Sequence, residues 1–188
     1  PVAGGDPMRF LEDWLAHGTG GTCFPTNGAL CALLRTVGFE ARRISGAILL
    51  SGIEQAGNHG SVLVRLDGVD YLADAQLAAF RVLPLVPGRA ATAGDGIHAI
   101  RALPTADGFD VECFPGSNRQ TPLIMRPDLA RGPVDHRFFL EHYALSARRD
   151  RKRSPFNEAL FAARRFPDSI LIVGRGNRID VAADSTVT

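Results

Sequence analysis

Apolar side chains recur at helical spacing twice near the start of the chain. Phe10, Leu11, Trp14 and Leu15 share one face of a segment from Met8 to His17, which Gly18 ends, behind an irregular lead-in over residues 1–8. Trp14, the lone tryptophan, is expected in the core. Leu30, Leu33, Leu34 and Val37 form a second stripe closed by Gly38, so a helix buried along that stripe is expected there, with Cys31 packed beside it. The pattern then changes to strands at Phe39 to Leu50, His59 to Leu66 and Val69 to Asp74. Between the last two, Asp67-Gly68 supplies the positive φ angles of a type I′ hairpin turn. Pro84, Pro87, Gly88, Gly94 and Gly96 mark residues 84–96 as a loop, and short strands follow at Ile97 to Leu103 and Phe109 to Phe114. Arg126 to Pro133 reads as a connector. Arg137 to Ser146 reads as a helix offering Phe138, Phe139 and Tyr143 for burial. Leu160 to Arg165 and Ile170 to Val173 read as a strand pair, although Ser154-Pro155 is also a good helix start.

Composition narrows the field. The 188 residues carry 21 basic and 20 acidic side chains, and this near-balance argues against a dedicated nucleic-acid binder. No uncharged apolar run approaches the roughly 20 residues of a membrane span, and a cytoplasmic location is expected. The 3 cysteines are odd in number and none is spaced as C-x-x-C, so neither a disulfide scaffold nor a zinc site is expected. His17, His98, His136 and His142 show no metal-ligand spacing, and no metal is expected. Arg148-Arg149-Asp150-Arg151-Lys152-Arg153 reads as a solvated loop, with a landing site for donor phosphates as the alternative.

Cys23 follows a Gly18-Thr19-Gly20-Gly21 loop and stands where the second helix begins, with Thr22 as N-cap and Pro25 in the first turn. Unpaired N–H groups and the positive end of the helix dipole favour a thiolate there. A two-residue loop at Asp67-Gly68 sets the hairpin register: Leu66 faces Val69, Arg65 faces Asp70, Leu63 faces Leu72 and Ser61 faces Asp74. His59 and Asp74 then become diagonal neighbours on one face, roughly 7–8 Å apart at the backbone. An aspartate at that distance can orient the imidazole and stabilise its cation. Cys23, His59 and Asp74 are therefore the candidate nucleophile, base and orienting carboxylate.

The run Gly20-Gly21-Thr22-Cys23-Phe24-Pro25-Thr26-Asn27 resembles the Gly-Gly-x-Cys-Phe-Glu-x-Asn segment of the arylamine N-acetyltransferases. His59-Gly60-Ser61-Val62-Leu63-Val64 resembles that family's His-x-x-Leu-x-Val strand, and Tyr71-Leu72-Ala73-Asp74 its Tyr-Leu-x-Asp segment. A weaker likeness runs through Phe138-Phe139, Tyr143 and Ser154-Pro155-Phe156, and the transglutaminase-like cysteine superfamily shares the same Cys, His, Asp order. The chain departs from the family pattern at Thr19 (usually Arg), Pro25 (usually Glu) and Ala75-Gln76-Leu77-Ala78 (usually Val-Gly-Phe-Gly). Side chains at the last stretch are expected to narrow or reshape the acyl-donor path.

The resemblance implies a cysteine-dependent acyltransferase that moves an acetyl group from acetyl-CoA, or another acyl-CoA, to a small arylamine-type amine through an acyl-cysteine. Alternatives are an amidase, hydrolase or amide synthase using the same residues, and a catalytically inactive binding module. The expected fold is α+β: an N-terminal helical piece bearing Cys23 at a helix N-terminus, a central antiparallel β-sheet or barrel, and a mixed α/β C-terminal portion. Residues 1–80 would carry the helix and hairpin with all three candidate residues, and residues 81–188 the rest, as two lobes or one compact unit. Only 22 residues precede Cys23, so the N-terminal helical lobe is expected to be incomplete or reduced.

Overall fold

The computed structural model describes residues 5–50, 57–77, 81–94, 97–115, 122–148, 156, 161–174 and 176–182. Helix α1 (Pro7–His17) starts at Asp6, whose carboxylate accepts from the N–H groups of Met8 and Arg9 at 2.8 and 3.0 Å. It stops at Gly18, which takes a left-handed φ of 65°. Phe10 is its buried residue. Trp14, expected in the core, is 54% exposed, because α1 packs on its neighbour through the Phe10 side of its stripe.

Helix α2 (Cys23–Thr36) ends in a Schellman motif. Gly38 has φ +94°, its N–H donates to the Arg35 carbonyl, and the Phe39 N–H reaches Leu34 at 2.9 Å. The expected buried stripe shifts toward the helix start. Cys23, Phe24, Asn27, Gly28, Ala29 and Cys31 are buried, whereas Leu33 and Val37 are exposed. Leu30 and Leu34 still pack on the sheet beside Cys31, and Leu33 and Val37 point away from it.

The sheet holds the strands β1 (Glu40–Ile48), β2 (His59–Leu66), β3 (Val69–Ala73), β4 (Leu83–Leu85), β5 (Ala91–Gly94), β6 (His98–Thr105), β7 (Gly108–Pro115), β8 (Leu123–Pro127) and β9 (Pro133–Val134). Its order is β4-β3-β2-β1-β8-β7-β6-β5, with β9 also on β1, and every pairing is antiparallel. The sheet curls until β4 comes against β5 and β6, giving a barrel closed by packing. The 84–96 loop read from the sequence therefore contains most of β4 and all of β5, and the 126–133 connector holds the end of β8 and the start of β9. Short strands with Pro and Gly inside them give almost no periodic signal.

Period-2 alternation explains why β2 is buried on both faces. Leu63 points into the barrel with Ile44, Leu72, Leu83, Ile100, Phe109, Val111 and Met125, while Val62 and Val64 lie with Ala41 and Ala73 beneath α2 and Cys31. Helix α3 (His136–Ser146), capped by the Asp135 carboxylate on the Phe138 N–H at 2.8 Å, sets Phe139 edge-on against Phe24. A second sheet of β10 (Phe161–Arg165), β11 (Ser169–Gly174) and β12 (Asn177–Ala182) buries Ile170 and Val181 with Ile97. Ser154-Pro155 and most of the 148–153 basic run lie outside the described residues.

Candidate active site

Thr22 takes extended backbone angles at the N-cap, but its side chain makes no capping bond and its Oγ1 is buried without a partner among the described residues. The Thr26 N–H closes the first helical bond onto the Thr22 carbonyl at 3.1 Å. The N–H groups of Cys23 and Phe24 thus open the helix with no intrahelical acceptor, and Pro25 has no N–H to leave unpaired. Gly21 is required just ahead of them: a Cβ there would fall 2.8 Å from the Phe10 ring and 3.0 Å from Pro25 Cγ. Cys23 itself is 8% exposed, and its Sγ lies 3.9 Å from the Asn58 carbonyl.

The hairpin has the expected register, with Leu66 on Val69, Arg65 on Asp70 and Leu63 on Leu72. Asp67 and Gly68 both have positive φ, 48° and 79°. Carried one step beyond the ladder, that register brings His59 to Asp74, with Nε2 2.7 Å from Oδ2 and both side chains almost fully buried. Cys23 lies close enough to the ring to act on it. Burial alone pushes the His59 pKa down, but the Asp74 carboxylate and the Cys23 sulfur outweigh it and lift the ring from 6.5 to about 10. Burial also works against ionised Asp74, yet His59, with Ser61 and Asn27 behind it, holds that carboxyl below its ordinary value. The pair is thus imidazolium and carboxylate.

Asn27 is the site residue that sequence reasoning quoted without giving it a task. It is fully buried, and its Nδ2 donates to the Gly60 carbonyl at 2.7 Å and to Asp74 Oδ1 at 3.0 Å. Its Oδ1 accepts from the Ala75 N–H at 2.9 Å. One amide therefore joins α2 to β2 and to the turn after β3. Asn27 stands four residues after Cys23, on the same helix face, and a polar residue in a buried stripe was the available signal. Asp74 Oδ1 also accepts from the N–H groups of Gln76 and Leu77 at 2.8 and 3.2 Å. In this departure from the family pattern the backbone braces the carboxylate, and Leu77 is buried in the barrel core.

Burial pushes Cys31 up, and burial with the charges of Asp74 and Glu112 pushes Cys113 up to about 12. A cavity of about 580 Å³ opens beside Gly57, walled by Gly46, Phe109, Arg131, Phe138 and His142. Cys23, His59 and Asp74 are not in its lining. Among the described residues, no group of three or more His, Cys, Asp or Glu is placed to hold a metal, and no helix is long and apolar enough to cross a membrane.

An α+β barrel with a thiol at a helix mouth, facing an imidazole held by a carboxylate on a neighbouring strand, defines a class of cysteine-centred proteins. Within that class the family model described as N-acetyltransferase matches residues 6–176, and the chain belongs to that family, the enzymes known as arylamine N-acetyltransferases. The arylamine N-acetyltransferase of Mycobacterium abscessus superposes with a TM-score of 0.78 at 20% identity, covering 97% of this chain and 66% of its own. That of Salmonella typhimurium gives 0.79 at 19% identity over 97% of this chain and 66% of its own. The Mycobacterium marinum protein, solved in complex with CoA, gives 0.79 at 17% identity over 100% of this chain and 69% of its own. At these identities the likeness is one of fold. The chain spans less than two thirds of the length of the first two proteins. No curated protein matches its sequence.

Proposed function

We propose that this chain transfers an acetyl group, or another short acyl group, from acyl-CoA to a small arylamine-type amine through a thioester on Cys23. The observation that carries the reading is the buried His59–Asp74 pair with Cys23 close to the ring. Sγ attacks the carbonyl carbon of the donor thioester, and the CoA thiol leaves with a proton supplied by His59. The amine then attacks the acyl-cysteine, gives a proton to neutral His59 and departs as the amide, restoring the starting pair. Asp74 keeps the ring in one orientation and offsets its charge in both halves. The open N–H groups of Cys23 and Phe24 are placed to stabilise the oxyanion of each tetrahedral intermediate. The cytoplasm, where acyl-CoA is at hand, is the compartment this chemistry asks for.

The test is to incubate the protein with acetyl-CoA and weigh it. One acetyl group on the Cys23 peptide, discharged by an added arylamine and absent in Cys23→Ser, is the expected result. Amide or peptide cleavage without an adduct points instead to a hydrolase. Iodoacetamide at neutral pH should label Cys23 ahead of Cys31 and Cys113, whose burial holds them as thiols. Equal sluggishness of all three would support a non-catalytic binding module.

A further inference from the structure

His142 reads from the sequence as a surface or packing side chain, yet its ring meets the backbone beside the nucleophile. Nδ1 lies 2.8 Å from the Gly57 carbonyl. A carbonyl only accepts, so Nδ1 carries the proton and donates. Gly57 has φ +64°, and a Cβ at that position would fall 2.5 Å from His142 Cε1, so ring and backbone touch with no space between them. The ring is itself fixed. It stacks on Phe138 at 3.9 Å and 23°, Arg131 covers Phe138 at 4.6 Å, and Phe24 lies 6.2 Å away.

The next two residues complete the pattern. The Asn58 side chain makes two bonds to Ile48, accepting from its N–H at 2.7 Å and donating to its carbonyl at 3.0 Å. The Asn58 carbonyl faces Cys23 Sγ, and His59 is held by Asp74. Asn58 and His59 are thus tied to the barrel, while Gly57, the residue with the most backbone freedom, is tied to α3 through His142.

We propose that His142 is a positioning residue, whose Nδ1–H fixes the Gly57–Asn58 peptide and through it the carbonyl and ring that orient the Cys23 sulfur. The inference rests on reading Cys23 as the nucleophile. A misplacement of about 1 Å at a reacting centre costs on the order of 100-fold in rate. Release of one anchor of three is accordingly expected to cost on the order of 10-fold.

Two substitutions separate the hydrogen bond from the packing. His142→Asn places an amide nitrogen at the same number of bonds from Cβ as Nδ1 and gives up the stack. His142→Phe keeps a stacked ring and gives up the donor. The measurement is the second-order rate of Cys23 labelling by iodoacetamide, taken alongside the thermal midpoint. That reagent needs no acyl donor, so failure of the acyltransferase reading leaves this result intact. The Asn chain is expected to label within about 3-fold of the original, and the Phe chain roughly 10-fold slower or more. A Phe chain that labels as fast as the Asn chain overturns the proposal, whatever the thermal midpoints. In the unsubstituted protein, the His142 Nδ1 proton should appear by NMR as a slowly exchanging imidazole resonance that shifts when Cys23 is alkylated. Its absence would overturn the proposal even if neither variant folds.

Discussion

Replacing Asn27 with alanine tests whether one buried amide fastens the helix to the hairpin. The change removes three hydrogen bonds at 2.7, 3.0 and 2.9 Å. Asp74 Oδ1 keeps the Gln76 and Leu77 N–H groups, and Ala75 is exposed so that water can take over its N–H, but the buried Gly60 carbonyl loses a partner. A buried polar group stripped of its partner costs about 1–3 kcal/mol, which sets the scale of the loss. In a chain of this length each kcal/mol moves the unfolding midpoint by about 2–4 °C, giving a fall of roughly 2–12 °C. Thermal unfolding followed by circular dichroism reads that fall, and iodoacetamide labelling of Cys23 reads the accompanying loss of alignment. Asn27→Asp sharpens the test, since it keeps the shape and the acceptor for Ala75 but sets a carboxylate oxygen against the Gly60 carbonyl and Asp74. That chain should be no more stable than the alanine variant at neutral pH and should recover in acid, as the new carboxyl becomes a donor. An alanine chain within about 1 kcal/mol of the original, labelled at the original rate, would refute the fastening role.

The His59 ring titrates near 10 in the folded protein against 6.5 when free, so its contribution to stability is complete below about 6.5 and disappears as pH rises through about 10. The gap in thermal midpoint between the original chain and His59→Gln should therefore narrow from pH 6 to pH 10; a constant gap contradicts the ion pair. Asp74, held low, works in the other direction, and its contribution should fade as pH falls below 3.8. Gly60→Ala would place a Cβ 2.7 Å from Phe24 Cδ1 and 2.8 Å from Phe139 Cζ, and such overpacking is expected to cost about 1–3 kcal/mol. Unchanged urea unfolding of that variant would mean the two rings yield without strain.

The hairpin was readable because its turn chemistry fixes register, and register alone carried His59 to Asp74. Cys23 was readable because the glycine loop, Thr22 and Pro25 mark a helix start. Trp14, Leu33 and Val37 were misread because a 3.6-residue period tells which side chains share a face and is silent about what covers that face. The strands β4 and β5 went unseen because pairing across the barrel, rather than local pattern, makes them strands. Asn27, Asn58 and His142 act through backbone groups distant in sequence, and no local signal announces that kind of partnership.

The sulfur, the ring and the carboxylate come from α2, β2 and the turn after β3, and the amide of Asn27 meets its partners only after those pieces have docked. A nascent or denatured chain consequently exposes an ordinary thiol with no special appetite for electrophiles. The reactivity proposed for Cys23 would therefore report completed assembly, and a thiol probe added during refolding would time the arrival of the native state.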